Sequence, residues 1–353
     1  MERDATEELG ERVRAAAAAR TALRICGSGS KAFYGRPVRG EPLTLTDHVG
    51  IIDYDPQELV LTARSGTALG GIEALLAKSG QYLPFEPPHF GPAATFGGTI
   101  ACGLAGPARA SAGPMRDFVL GVRVLTGAGE VLRFGGRVMK NVAGYDVTRL
   151  MVGALGTLGV LLEISLKVLP QAPGQLTLTF ELDAAQAVER MNDWALTPIP
   201  VSATCWVERR LFVRLQGSAA ALSEARQRLG GEELPAAANF WQSIKEHTHP
   251  FFAHAANLWR LCVPAESPPL DVLGRTLIEW TGAQRWIVPA DANIDLHATS
   301  AVAGGFATRF RAVEARAEIF SPLPAALMQV HRELKRTFDP QAILNPGRLY
   351  ADL

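Results

Sequence analysis

Apolar positions recur along this chain with two different periods, and the change of period marks out its elements. Leu9, Val13, Ala16 and Ala17 fall at helical spacing among Glu and Arg, and the apolar run Leu23 to Cys26 then predicts a strand that feeds a loop. A second strand is predicted from Leu59 to Thr62, followed by a helix capped by Thr67, with Leu69, Ile72, Leu75 and Leu76 on one face and Gly80 as its stop. This reads as a strand, helix, strand unit. Two β-rich runs between Phe118 and Phe134 flank Gly127-Ala128-Gly129 and predict a hairpin. Asp146 is placed to cap a short helix bearing Val147, Leu150, Met151 and Ala154. The glycines of 153–159 close that helix, and Val160, Leu162, Ile164, Leu166 and Val168 alternate as a half-buried strand ended by Pro170.

After Gln171-Ala172-Pro173-Gly174 the pattern changes. An alternating strand (Leu176, Leu178, Phe180, Leu182), a helix, two strands (Val201 to Val207 and Leu211 to Leu215) and a helix with Leu222, Ala225 and Leu229 give the order of a ferredoxin-like α+β unit. Strands around Leu258 to Val263 and Arg285 to Val288 are expected to extend its sheet, and a last helix carries Leu327, Val330 and Leu334. We therefore expect two domains, residues 1–172 and 173–353.

Composition narrows the function. The 353 residues are 48% hydrophobic, enough for a large core, and 35 basic residues balance 35 acidic ones, so no global field favours nucleic acid. An anion must be bound locally. Neither a signal-like N-terminus nor an apolar run of membrane-spanning length is visible, which predicts a soluble cytoplasmic protein. Cys26, Cys102, Cys205 and Cys262 are scattered, giving no iron–sulfur ligand set and no disulfide framework. No metal is expected, because His247, His249 and His254 lack companion ligands in sequence.

Three segments are candidates for chemistry. Gly27-Ser28-Gly29-Ser30-Lys31 follows a strand, and its small residues would let successive N–H groups converge on an anion, with two hydroxyls and an ammonium in support. The loop fits the weaker Gly-x-Gly-x-x-Ala form of a dinucleotide fingerprint, yet Tyr34-Gly35-Arg36-Pro37 cannot continue the helix that a Rossmann site needs. Its spacing also excludes a P-loop, so it reads as an ordinary turn or as a pyrophosphate cradle. The stretch 87–107 is nearly uncharged and rich in small residues, as backbone packed against a flat ligand would be, or as a buried loop crossing would be. A second such stretch, 153–159, stands directly before a strand.

Taken in order, Gly-Ser-Gly-Ser-Lys, Pro-Phe-Glu-Pro-Pro, Ala94-Thr95-Phe96-Gly97-Gly98-Thr99-Ile100-Ala101, Met115-Arg116-Asp117, Gly136 to Asp146 and Gly156-Thr157-Leu158-Gly159-Val160 resemble the FAD-binding domain of the vanillyl-alcohol oxidase and p-cresol methylhydroxylase (PCMH) type. The Lys-Asn-Val-Ala-Gly-Tyr-Asp version, with His249-Pro250-Phe251-Phe252, Leu258-Trp259-Arg260-Leu261 and Asn345-Pro346-Gly347-Arg348, is similar to the E-type subunit of glycolate oxidases. The resemblance implies an α+β fold: a two-part PCMH-type FAD-binding domain, then a ferredoxin-like cap whose C-terminal turn returns to the flavin. It implies pyrophosphate on Gly27, Ser28, Gly29, Ser30 and Lys31, and FAD lined by Ala94, Thr95, Gly97, Gly98, Thr99, Ala101, Cys102 and Gly106. Gly113 and Asp117 would lie nearby, Gly156, Leu158, Gly159 and Val160 would close the adenine side, and Asn345 and Arg348 would reach the cofactor. Lys140 and Tyr145 would face the flavin or buttress the turn before the helix.

The first loop has Ser and Lys where relatives that tether flavin covalently often have His, which implies non-covalent FAD. Oxidation of a 2-hydroxy acid needs a carboxylate clamp, a base, and positive charge beside the reduced ring. Arg260 and Arg348 suit the clamp and the charge, or make structural ion pairs; His249 suits the base, or caps a turn. In the subunit family the position of Phe306 usually carries His, so a catalytic role there is not expected of this chain. The resemblance further implies a second FAD-binding subunit and an iron–sulfur subunit passing electrons to quinone, through which any membrane contact would be made. A stand-alone 2-hydroxy acid dehydrogenase of the D-lactate type and a non-catalytic assembly subunit with structural FAD are the alternatives.

Overall fold

The hairpin read between Phe118 and Phe134 forms one side of a five-stranded antiparallel sheet. Its strands run in the order Ile51–Asp55, Val60–Arg64, Val160–Lys167, Val119–Leu125 and Val131–Gly135. The computed structural model describes residues 2–136, 146–291, 293–312 and 318–353. Val160–Lys167 lies at the centre of this sheet and is buried on both faces rather than half-buried. The expected alternation also breaks: Val160 and Leu162 pack with Leu9, Val13 and Leu43, whereas Leu161, Ile164 and Leu166 pack with Phe85, Phe96 and Ile100. A register shift against Val119–Leu125, between the pairs Arg123–Glu163 and Val124–Leu161, moves Leu162 out of step.

The helix Thr6–Ala19 buries Leu9, Val13 and Ala16 as its spacing requires. Leu23–Cys26 is a strand paired in parallel with Glu41–Thr44, a partner too short and polar to read from its pattern. The following helix, Leu69–Lys78, has Ala68 at its cap. Thr67 instead turns its hydroxyl to both the amide and the carbonyl of Gly50, tying two loops together. The strand after that helix is only Gln81–Tyr82, and it pairs with Leu169–Pro170 outside the main sheet. Asp146 does cap Val147–Met151, accepting from the Arg149 amide, but Leu150 is exposed.

The second sheet has eight antiparallel strands in the order Glu232–Glu233, Gln175–Glu181, Arg210–Gln216, Val201–Val207, Gly274–Glu279, Gln284–Pro289, Leu258–Cys262 and Phe306–Arg311. Its first four strands, numbered within their own unit, stand 4-1-3-2, the ferredoxin-like arrangement. The expected extensions around 258–263 and 285–288 are joined by Gly274–Glu279 and Phe306–Arg311. One face packs Trp286, Phe310 and Val207, with Phe252 of an adjoining turn, against Tyr34, Leu104 and Leu155 of the first half. The other carries the helices Ala184–Ala195 and Ala219–Leu229 toward one end, and Leu296–Val302 toward the other.

The last helix, Ala325–Phe338, departs from its reading. Leu327 and Val330 are exposed, and the helix buries Lys335 and Phe338 instead. Phe338 and Leu334 pack on the five-stranded sheet, and Ile343 and Leu344 join the core beneath Leu23. The final thirty residues thus return to the first half.

Glu279 lies inside the contact between the two halves, 3% exposed, accepting hydrogen bonds from Trp286 Nε1 (2.7 Å) and Gln284 Nε2 (3.0 Å). Burial raises its pKa from 4.5 to about 7. The folded chain therefore binds this proton more tightly than the unfolded chain. The resulting stability is complete below pH 4.5 and is lost as pH rises toward 7, a window worth about 3 kcal/mol. Urea melts at pH 5 and pH 8 should differ by about that much more in the native chain than in Glu279→Gln; equal differences would contradict the assignment.

Candidate cofactor site

A groove opens where Leu23–Cys26 gives way to its Gly-Ser loop. It has two lobes that share Ile25, Cys26, Gly27, Thr95, Gly98, Ala101, Leu155 and Asn345. One lobe continues along Ser28, Gly29, Ser30, Lys31, Cys102 and Arg348 and encloses about 140 Å³; the other runs past Gly97, Gly156, Gly159 and Met151 and encloses about 70 Å³. The three small-residue segments, far apart in sequence, thus share one groove.

The Gly-Ser loop supplies the groove's most unusual feature. Among the described residues the amides of Ser28, Gly29, Ser30 and Lys31 have no protein acceptor, although Ala32 and Tyr34 beyond them turn back onto the carbonyls of Gly29 and Lys31. Four successive open N–H groups are the kind of donors from which an anion-binding concavity is made. Gly29 permits it: its φ is +82° and a Cβ there would meet nothing within 4 Å. The amides of Gly156, Leu158 and Gly159 likewise have no acceptor among the described residues. By contrast, the first turn of the helix Phe96–Cys102 is already satisfied. The amides of Phe96, Gly97 and Gly98 donate to Thr67 O, Ser65 O and Thr95 Oγ1.

The groove's charge is one-sided. Arg24, Lys31 and Arg348 line it, and among the described lining residues there is no Asp, Glu or His. Burial lowers the pKa of Lys31, whose ammonium donates to His89 O at 3.1 Å. Burial also pushes the Cys102 thiol up to about 11, so it stays protonated at neutral pH despite Lys31 and Arg348 nearby.

Several glycines serve packing within the protein rather than open space for a ligand. A Cβ on Gly27 would lie 2.2 Å from Thr95 Oγ1, on Gly97 2.5 Å from Ser65 Cβ, and on Gly159 2.3 Å from Val124 Cγ1. They bring the walls together. The C-terminal residues then fix those walls. Asn345 accepts the Ile25 amide at 2.8 Å and donates to Leu155 O at 2.6 Å. Arg348 makes no ion pair among the described residues; it donates to the carbonyls of Arg36, Ala32 and Tyr34 at 2.8, 3.0 and 2.6 Å, shaping the loop after Lys31. Lys335, buried against Asp339 at 2.7 Å, also donates to Thr157 O and Leu344 O. Lys335 belongs to no motif read from the sequence, although its i, i+4 spacing from Asp339 was the available signal.

Other expected residues lie elsewhere. Ala94, Thr99 and Val160 are buried in the packing around the groove, and Leu158 packs on the first core. Gly113 and Asp117 sit beyond the groove, with Asp117 3.6 Å from Arg149. Lys140 and Tyr145 fall outside the described residues. Gly106 lines a separate cavity of about 20 Å³, together with Arg260, His247, Glu279 and Gln284. Arg260 there donates to Tyr34 Oη at 3.2 Å, and its Nε is buried without an acceptor among the described residues. Such a space holds about one water. His249 stands apart from both: its Nδ1 accepts the Phe251 amide at 3.2 Å and its ring meets Phe240, so it caps the turn Pro250–Phe252. Its neighbour His247 stacks on Phe252 at 4.0 Å, and burial holds its pKa well below the usual value. Phe306 is half exposed at the start of an edge strand.

The FAD binding domain family matches residues 3–135. The chain is 49% identical over 350 residues to the glycolate oxidase subunit GlcE of Escherichia coli K12, covering 99% of both chains. It is 33% identical over 154 residues to the glycolate oxidase subunit GlcD of Bacillus subtilis, covering 43% of this chain and 33% of that one. Among solved structures, an alkyldihydroxyacetonephosphate synthase superposes with a TM-score of 0.65 at 15% identity, over 96% of this chain and 74% of its own.

Lys335→Met would leave the Asp339 carboxylate buried beside the groove without its cation. We expect a loss of about 3–5 kcal/mol in urea unfolding. A loss under about 1 kcal/mol would show that the pair does not hold the groove.

Proposed function

The chain belongs to the FAD-dependent oxidoreductase family of the glycolate oxidase subunit GlcE, with FAD as its cofactor, and from that premise we propose that it is the FAD-binding subunit of a glycolate oxidase complex. The complex would oxidise glycolate to glyoxylate and pass the electrons through an iron–sulfur subunit to quinone, beside a second FAD-binding subunit. Any contact with the inner face of the membrane would come through those partners; none of the described helices is long and apolar enough to cross one.

The observation that carries this reading is the run of open amides from Ser28 to Lys31 in a groove lined, among the described residues, by three cations and no carboxylate. A pyrophosphate needs such donors and such charge. In this reading residues 1–172 form the FAD-binding unit and 173–353 the cap. Ser28 to Lys31 take the pyrophosphate, Thr95, Gly97, Gly98, Ala101 and Cys102 form the wall along the cofactor, and Gly156 and Gly159 close the adenine end. Asn345 and Arg348 act by positioning, since their polar atoms are engaged with the walls. Bound FAD would supply a two-electron acceptor at its ring nitrogen.

A second reading, in which glycolate is oxidised on a partner's flavin, is favoured by the surroundings of Arg260. The adjoining cavity has room for about one water, and the ring of His247 is held neutral by burial. The groove also lacks a base among its described lining residues. On either reading the purified chain is yellow, and anaerobic glycolate bleaches its visible flavin band only when partners are present. Bleaching of the isolated chain would point to a stand-alone dehydrogenase, and a colourless chain that still assembles would point to a non-catalytic subunit.

Gly29→Val tests the cradle itself. A β-branched residue at φ +82° disfavours the open-amide conformation, and FAD titration should give a Kd at least about tenfold weaker. An unchanged Kd would mean that the pyrophosphate lies elsewhere.

A further inference from the structure

The second sheet has an outer face, turned away from the cofactor groove, and one row of cross-strand neighbours on that face contains a cation. Trp206 pairs with Ile278, Ile278 with Arg285, Arg285 with Leu261, and Leu261 with Ala307. Four of the five positions are apolar, as a sheet face covered by helices requires. Arg285, 1% exposed, breaks the row.

The helices over this face do not meet above Arg285. The apolar cluster under Ala184–Ala195 and Ala219–Leu229 includes Ile278, and a separate cluster around Leu296 includes Ile287 and Leu261. Between them lies a cavity of about 250 Å³, floored by Ile278, Arg285 and Ile287, walled by Trp206 and Leu270, with the Thr276 side chain also lining it. Pro269 and Gly274, both exposed, stand at its rim.

Arg285 is held in place but not neutralised. Its Nε donates to Gly282 O at 2.5 Å and its Nη2 to Ser267 O at 2.7 Å, while Nη1 has no acceptor among the described residues. No described carboxylate pairs with it. Burial lowers its pKa to about 10, so the guanidinium remains charged at neutral pH. A buried charge without a counter-ion is costly, and two carbonyls supply only partial compensation. An anion entering the cavity would supply the rest.

We propose that this cavity is a second ligand site, separate from the cofactor groove, that binds a small organic monocarboxylate with its carboxylate on Arg285 and its hydrocarbon body against Trp206, Leu270, Ile278 and Ile287. The predominantly apolar walls disfavour inorganic phosphate, whose remaining oxygens would find few partners. A cavity of about 150 Å³ accommodates benzene, so this larger one suits an acid of about eight to ten non-hydrogen atoms.

The test is calorimetric titration of the FAD-loaded full chain with benzoate, with benzamide as the uncharged isostere and inorganic phosphate as the anion without an apolar body. The expected result is a benzoate Kd of about 1 mM or tighter, with benzamide and phosphate at least about tenfold weaker. Arg285→Met should abolish benzoate binding while the flavin spectrum is unchanged. Leu270→Trp, which fills the cavity and keeps the charge, should do the same and decides the matter if Arg285→Met does not fold. Absence of benzoate binding, equal binding of benzamide, or binding that survives Leu270→Trp would each overturn the proposal.

Discussion

Four consecutive peptide N–H groups that find no acceptor among the described residues are the constraint around which this structure is arranged. Backbone donors are normally paired, and those left open must face water or an anion. Ser28 to Lys31 are kept open by a chain of commitments elsewhere. Gly29 takes a φ of +82°, Gly27 lets Thr95 press against the loop, and Arg348 fastens the carbonyls that follow.

The C-terminal segment has the largest part in that arrangement. Asn345 bridges the strand before the loop to the glycine turn opposite, and Lys335 holds the carbonyl of Thr157 in the same turn. The tail thereby joins two groove walls that are more than a hundred residues apart in sequence. Formation of the groove therefore depends on late, non-local contacts, and the second sheet, set between them in sequence, packs on the first half through Trp286, Phe310 and Tyr34.

Local pattern carried much of this. The hairpin around Gly127, the helix Thr6–Ala19, the 4-1-3-2 unit and the convergence of the three small-residue segments all follow from periodicity, turn residues and motif order. What was not legible depended on packing at a distance. Leu327 and Val330 look like a buried stripe, yet the helix turns Lys335 inward because Asp339, Thr157 O and Leu344 O together satisfy its ammonium. Thr67 resembles a cap, but Gly50 claims its hydroxyl. His249 resembles a base, and its nitrogen is taken by the Phe251 amide two residues on. The glycines of the groove were legible as close approach, but not that the approaching partners are Thr95, Ser65 and Val124.

Hydrogen–deuterium exchange of the apo and FAD-loaded chain, resolved at single amides across the Gly-Ser loop, reads out the open N–H groups themselves. Because these N–H groups lack acceptors among the described residues, they should exchange rapidly without cofactor and become strongly protected when FAD is bound, Ser28 to Lys31 together. Amides that are already protected in the apo chain, or that exchange at the same rate after FAD binds, would contradict the account.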